Sequence, residues 1–189
     1  MREIPNYVAY WPYIMYIMPY YGENNRTNTE VCYFDGSTER YECRCEYVVE
    51  QLAVALRVPL DIVKDRMEKI LEQDKAGSSR KVPIVMGEGF CLVPLKFREE
   101  LVPKTGTIGF VVMQYVASVD TLPDGSRITF KNRNVSMQVV QRKRTVDTQL
   151  EQAKWHQIMY DFEKDYWAYE RCIAQKTLQR KIHKQQERS

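Results

Sequence analysis

Six cations within residues 105–146 are the side chains of this chain best suited to chemistry with another molecule. Arg127, Lys131, Arg133, Arg142, Lys143 and Arg144 are balanced there only by Asp120 and Asp124, six positive against two negative, so the stretch carries +4. Guanidinium and ammonium groups held at that density by ordered backbone attract a polyanion and release its counterions. Asn132, Asn134 and Gln141 lie among them and complete the candidate polyanion-binding set.

Residues suited to bond making are sparse. The two histidines, His156 and His183, stand apart from any plausible nucleophile. No Gly-rich phosphate loop, nucleophile elbow, HExxH or paired-carboxylate motif is present, so the sequence is read as a non-enzyme that needs no cofactor. The five cysteines (Cys32, Cys43, Cys45, Cys91, Cys172) show no metal-ligand spacing; the expectation is free thiols in a reducing compartment.

The cations need a frame. Ile108 to Val119 is rich in Val, Phe, Tyr and Ile and reads as one long strand. Leu122-Pro123-Asp124-Gly125 is a turn. Residues 127–131 alternate charged and apolar side chains, as a half-exposed strand does. Asn132-Arg133-Asn134 is a second turn, and Val135 to Val140 a third strand that runs into Arg142-Lys143-Arg144. This meander is expected to place the basic triplet at the end of a sheet, with Lys131 and Arg133 at a turn nearby.

Upstream, residues 7–21 read as one or two strands broken at Pro12 and ended by Pro19. Strands at 29–34 and 38–45 flank the Asp35-Gly36 turn, which would put Cys43 and Cys45 on one strand face. Apolar residues near 3.6 spacing predict helices at 46–57 and 59–75, separated at Pro59. Strands at 82–86 and 89–95 meet at Gly87-Glu88-Gly89. After Arg144, Thr145 as N-cap and Asp147 in the first turn predict a helix of about twenty-five residues. Its apolar stripe runs through Leu150, Ala153, Ile158, Phe162, Tyr166, Tyr169 and Ile173, thickened by Trp155, Met159 and Trp167. Trp155, Ile158 and Phe162 are the candidate dimerisation residues.

Net charge is +3 but blocky: −2 over residues 1–104, +4 over 105–146, −4 over 147–170 and +5 over the tail 171–189. Such segregation points to a polyanion met by part of the surface. The aromatic run 11–21 is half a membrane span and holds Pro12 and Pro19, so no membrane segment and a cytoplasmic location are expected.

The helix pair imitates a helix-turn-helix. Its second helix, however, carries Asp61, Asp65, Glu68 and Glu72 against Lys64, Arg66 and Lys69, the wrong balance for facing phosphates. DNA reading through residues 46–75 remains the first alternative. A protein-interaction module using helix 145–170 is the second.

The order of features resembles the competence transcription factors called ComK. The matching pieces are Asp35-Gly36 before a helical pair, Lys81-Val82-Pro83-Ile84, Val93-Pro94, the strand from 108, Ile128-Thr129-Phe130-Lys131-Asn132, and Thr148-Gln149-Leu150-Glu151-Gln152-Ala153. The chain departs from that pattern at Asn132-Arg133 and Val140-Gln141. A looser similarity is to the LytTR DNA-binding domain, whose strand–turn–strand–turn–strand also ends in a basic segment. The ComK resemblance implies an activator that binds AT-rich double-stranded DNA as a dimer or larger assembly, with an adaptor and a Clp protease as further partners, and the LytTR similarity implies a β-rich core.

The sequence therefore predicts an α+β protein: an antiparallel β-rich DNA-binding core over 1–144, with a helix pair at about 46–75, then a C-terminal helix and basic tail over 145–189.

Overall fold

The structure is a computed structural model that describes residues 5–22, 27–61, 82–99 and 107–186, with side chains to residue 173. The fold is α+β. A short helix α1 (Asn6–Ala9) and a 3-10 turn (Trp11–Tyr13) precede β1 (Ile14–Tyr21), β2 (Thr27–Tyr33) and β3 (Thr38–Tyr41). Helix α2 (Cys45–Ala55) follows, then β4 (Ile84–Gly87), β5 (Phe90–Lys96) and β6 (Ile108–Val112). A second 3-10 turn (Met113–Tyr115) leads into β7 (Val116–Leu122), β8 (Gly125–Phe130), β9 (Ser136–Val139) and the helix α3 (Lys143–Gln186).

Among the described residues the strands form two antiparallel sheets. The larger has strand order β3-β2-β1-β6-β5-β4, and the smaller is the meander β7-β8-β9. The strand expected over 108–119 is really two. Residues 113–115 turn, and the chain leaves the six-stranded sheet to found the second one. Val116 and Val119 beyond the break still pack on buried surface, so composition alone does not show it.

Apolar side chains on the two faces of the larger sheet build two cores. On one face Ile14, Ile17, Val31, Phe90, Leu92 and Val112 meet Val48, Val49 and Leu52 of α2. On the other, Met15, Val93, Leu95 and Val111 meet Val119, Ile128, Phe130, Met137 and Val139 of the small sheet. Val146, Leu150 and Ala153 of α3 complete that second core. The molecule is layered helix, sheet, then sheet with helix, and the inner strands β1, β5 and β6 are apolar on both faces for that reason.

Several sequence expectations shift. Pro19 lies within β1, opposite Thr29, and does not end it. β6 is registered with β1 only at Tyr16 and Ile17, so no ladder amide is missed at Pro19. Its ring abuts Gly109 of β6, where a Cβ would stand 2.9 Å from Pro19 Cδ and 2.5 Å from the Ile17 carbonyl oxygen. Residues 6–9 and 11–13 are helical turns, not strand. β3 ends at Tyr41, and Cys45 opens α2 instead of sharing a strand face with Cys43. Most of the second helix expected at 59–75 lies outside the described residues. Among the described residues no helix is long and apolar enough to cross a membrane.

Candidate nucleic-acid interface

Strand β8 organises the cations. Ser126, Ile128 and Phe130 point inward and are buried, while Arg127 and Lys131 alternate outward and are exposed. Register places Arg127 between Asp120 of β7 and Gln138 of β9 on the outer face. Ser118, Thr129 and Ser136 form the neighbouring row, so this face is polar and flat in composition.

The candidate cations do not share one end of the sheet. Lys131 and Arg133 occupy the β8–β9 turn. β9 then returns antiparallel, with Ser136 opposite Thr129 and Val139 opposite Ser126. Arg142-Lys143-Arg144 therefore emerges at the other end of β8, about 17 Å away along the strand. The cations therefore form a stripe with Arg127 near its middle, not the single cluster the sequence predicts.

The triplet also leaves the sheet altogether. α3 begins at Lys143, two residues before the expected Thr145 cap, and Arg142 takes the capping position. The Arg142 carbonyl accepts the Thr145 and Val146 amides at 2.9 and 3.2 Å. No acidic residue stands in the first turn, so Asp147 falls one turn further in, where it pairs with Lys143 at 2.9 Å. Three cations thus crowd the positive end of a helix dipole, each unfavourable by about 0.3–1 kcal/mol. Arg142 and Arg144 are exposed, and Arg144 borders a hollow of about 340 Å³ with Thr145, Thr148 and Gln149.

Two amide candidates are structural. Gln141 Oε1 accepts the Lys96 backbone amide at 2.8 Å, and its Nε2 donates to Gln149 Oε1 at 3.2 Å. Its carbonyl accepts from Ser126 Oγ at 2.7 Å, and the Val140 amide donates to the Lys96 carbonyl at 3.2 Å. Gln141 is a clamp between the small sheet, β5 and α3, with its side-chain amide already engaged. Asn132 Nδ2 donates to the Phe34 carbonyl at 2.6 Å, and its Oδ1 accepts the Asn134 amide at 3.2 Å. That pair shapes the turn, leaving Lys131, Arg133 and Asn134 exposed around it.

That turn has aromatic company drawn from distant parts of the chain. The Lys131 amide donates to the Tyr115 carbonyl at 2.8 Å, and the Phe34 amide to the Tyr13 carbonyl at 2.8 Å. Phe34 and Tyr115 rings lie 5.3 Å apart, and Tyr10, Tyr13 and Phe34 are exposed. Residues from four distant segments meet there, and no local spacing announces it.

The sequence predicts one apolar stripe on the long helix; the helix has two. Val146, Leu150, Ala153 and Gln157 are buried and Tyr160 is partly buried, whereas Trp155, Ile158, Met159, Phe162, Tyr166, Trp167, Tyr169 and Ile173 are exposed. Ala153 and Trp155 are two residues apart, about 200° around the helix, which separates the faces.

The chain matches no family model, no curated protein and no solved structure.

Proposed function

We propose that this protein is a cytoplasmic, non-enzymatic regulator of transcription that binds AT-rich double-stranded DNA. The observation that carries the reading is Arg142-Lys143-Arg144 at the positive pole of α3 with no carboxylate in the first turn. Arrangements that oppose local stability persist where function needs them. A phosphate backbone supplies the missing negative charge and reverses the sign of the interaction, since both helix amides and guanidinium groups favour an anion.

Arg127, Lys131 and Arg133 extend the same chemistry along β8. Among the described residues none of Arg127, Lys131, Arg133, Arg142 and Arg144 has an ion-pair partner, so binding breaks no existing pair at these five. A reach of about 17 Å corresponds to roughly five phosphates along one strand. Arg side chains at the ends of the stripe are suited to a narrow A·T minor groove, where the negative potential is strongest.

The test is a titration on AT-rich and GC-rich duplexes at two salt concentrations, with wild type and an Arg142→Ala/Lys143→Ala/Arg144→Ala variant. Each lost phosphate contact lowers the slope of log K against log salt by about 0.9. A drop of two to three units for the triple variant is the expected result. Equal slopes for the two proteins would sink the reading.

A further inference from the structure

The exposed apolar face of α3 is regular. Trp155, Met159, Phe162, Tyr166, Tyr169 and Ile173 follow one another at steps of 4, 3, 4, 3 and 4 residues. That is the spacing at which two helices interlock side chain into hole. All six are exposed, Trp155 and Phe162 each at 67%. At about 100° per residue the seam lies about 180° from the buried line Val146, Leu150, Ala153, Gln157, Tyr160. A partner helix therefore reaches it without displacing the sheets.

We infer that this seam pairs two copies of the chain through a two-helix interface over residues 155–173. The 4-3 repeat is complementary to a helix bearing the same repeat, and α3 itself is such a helix. Area supports the match. With aromatic side chains offering about 150–250 Å² each, the six exposed fractions amount to roughly 700 Å² per protomer. A symmetric pair would hide roughly 1,400 Å², within the range of about 1,200–2,000 Å² found for stable specific interfaces. An apolar surface of that extent left in water is unusual for a monomer. The seam also sorts the sequence candidates: Trp155 and Phe162 lie on it, Ile158 flanks it, and Met159, Tyr166, Tyr169 and Ile173 join it.

The inference is independent of the nucleic-acid reading, and its test uses no DNA. Sedimentation equilibrium on the full chain should give twice the 22.4 kDa protomer mass. A Phe162→Glu/Tyr169→Glu variant should raise the dimer dissociation constant at least about 100-fold, near 2.7 kcal/mol. Both positions are exposed, and an unchanged unfolding midpoint in dilute solution checks that the variant is folded. Trp167→Ala, also exposed but about a third of a turn from the seam, should leave the mass at twice the protomer. A monomeric wild type at about 100 μM overturns the proposal. So does a dimer indifferent to the double substitution, or one lost equally with Trp167→Ala.

Discussion

Asn132 Nδ2 and the Phe34 carbonyl oxygen, 98 residues apart in the chain, are 2.6 Å from one another. This hydrogen bond ties the β8–β9 turn to the tip of the β2–β3 hairpin and so fixes where Lys131 and Arg133 stand. Gly36, at φ 89°, lets the hairpin close beneath it, and a Cβ there would lie 3.6 Å from Val135 Cγ2. Asn132→Ala should lower stability by about 1 kcal/mol, the net value of one such bond. Denaturant unfolding measures it, and an unchanged midpoint would mean the turn is held by backbone bonds alone.

The two basic ends should act separately. They lie about 17 Å apart along β8, beyond the range at which sites usually couple. Lys131→Ala/Arg133→Ala and Arg142→Ala/Arg144→Ala should each lower the salt slope of DNA binding by about two units, and the combined variant by the sum. A combined effect no larger than either alone would show that only one end meets DNA.

Gly125 should tolerate no side chain. Its φ is 152°, and an added Cβ would sit 2.1 Å from the Val139 carbonyl oxygen and 3.0 Å from Val140 Cα. Backbone cannot swing aside as a side chain can, so β8 and β9 must part. Gly125→Ala should cost about 3 kcal/mol or more in a denaturant melt. A loss within about 0.5 kcal/mol, as for an open surface site, would contradict this close approach.

Acid should loosen the N-terminal corner. Burial tends to raise the Glu39 carboxyl pKa, but hydrogen bonds from Tyr41, Asn6 and Tyr33 outweigh it and hold the value below the ordinary 4.5. A depressed carboxylate contributes stability above its unfolded pKa and loses it as pH falls through the folded one. Wild type should therefore lose stability below pH 4.5 more steeply than Glu39→Gln. Parallel pH profiles for the two proteins would exclude Glu39 as the cause.

His156 should sharpen the same trend at higher pH. It is buried on the core side of α3, and burial lowers its pKa from the ordinary 6.5 by disfavouring the cation. The neutral ring is the native form. Its contribution is full above pH 6.5 and is lost as pH falls through the folded value. An NMR titration should find the His156 ring titrating below 6.5, and His156→Gln should flatten stability over that window. A ring titrating at or above 6.5 would place it in water instead.

Much of this molecule is local and was legible. Asp35-Gly36 marks the hairpin because only a positive φ closes it. Alternation at Arg127-Ile128-Thr129-Phe130-Lys131 shows which side chains face out, since a strand's period is two. Val48, Val49 and Leu52 announce α2 by their helical spacing. The 4-3 repeat from Trp155 to Ile173 was equally present, but it merged with the core line through Leu150 and Ala153, and both faces of α3 are apolar.

What the sequence determined by itself was the kind of residue at each position and the period of each segment: an α+β chain, a free-standing run of cations, and strands ready to pair. Tertiary structure alone decided which of those residues are neighbours. Lys131 and Arg142 are close in the chain yet at opposite ends of β8, because β9 reverses direction between them. Lys96 and Gln141, 45 residues apart in the chain, share a hydrogen bond because the smaller sheet folds back over the larger. Side-chain periodicity is set by local backbone geometry within a few residues. Strand reversal and sheet stacking depend on contacts across the whole fold, and no window of sequence contains them.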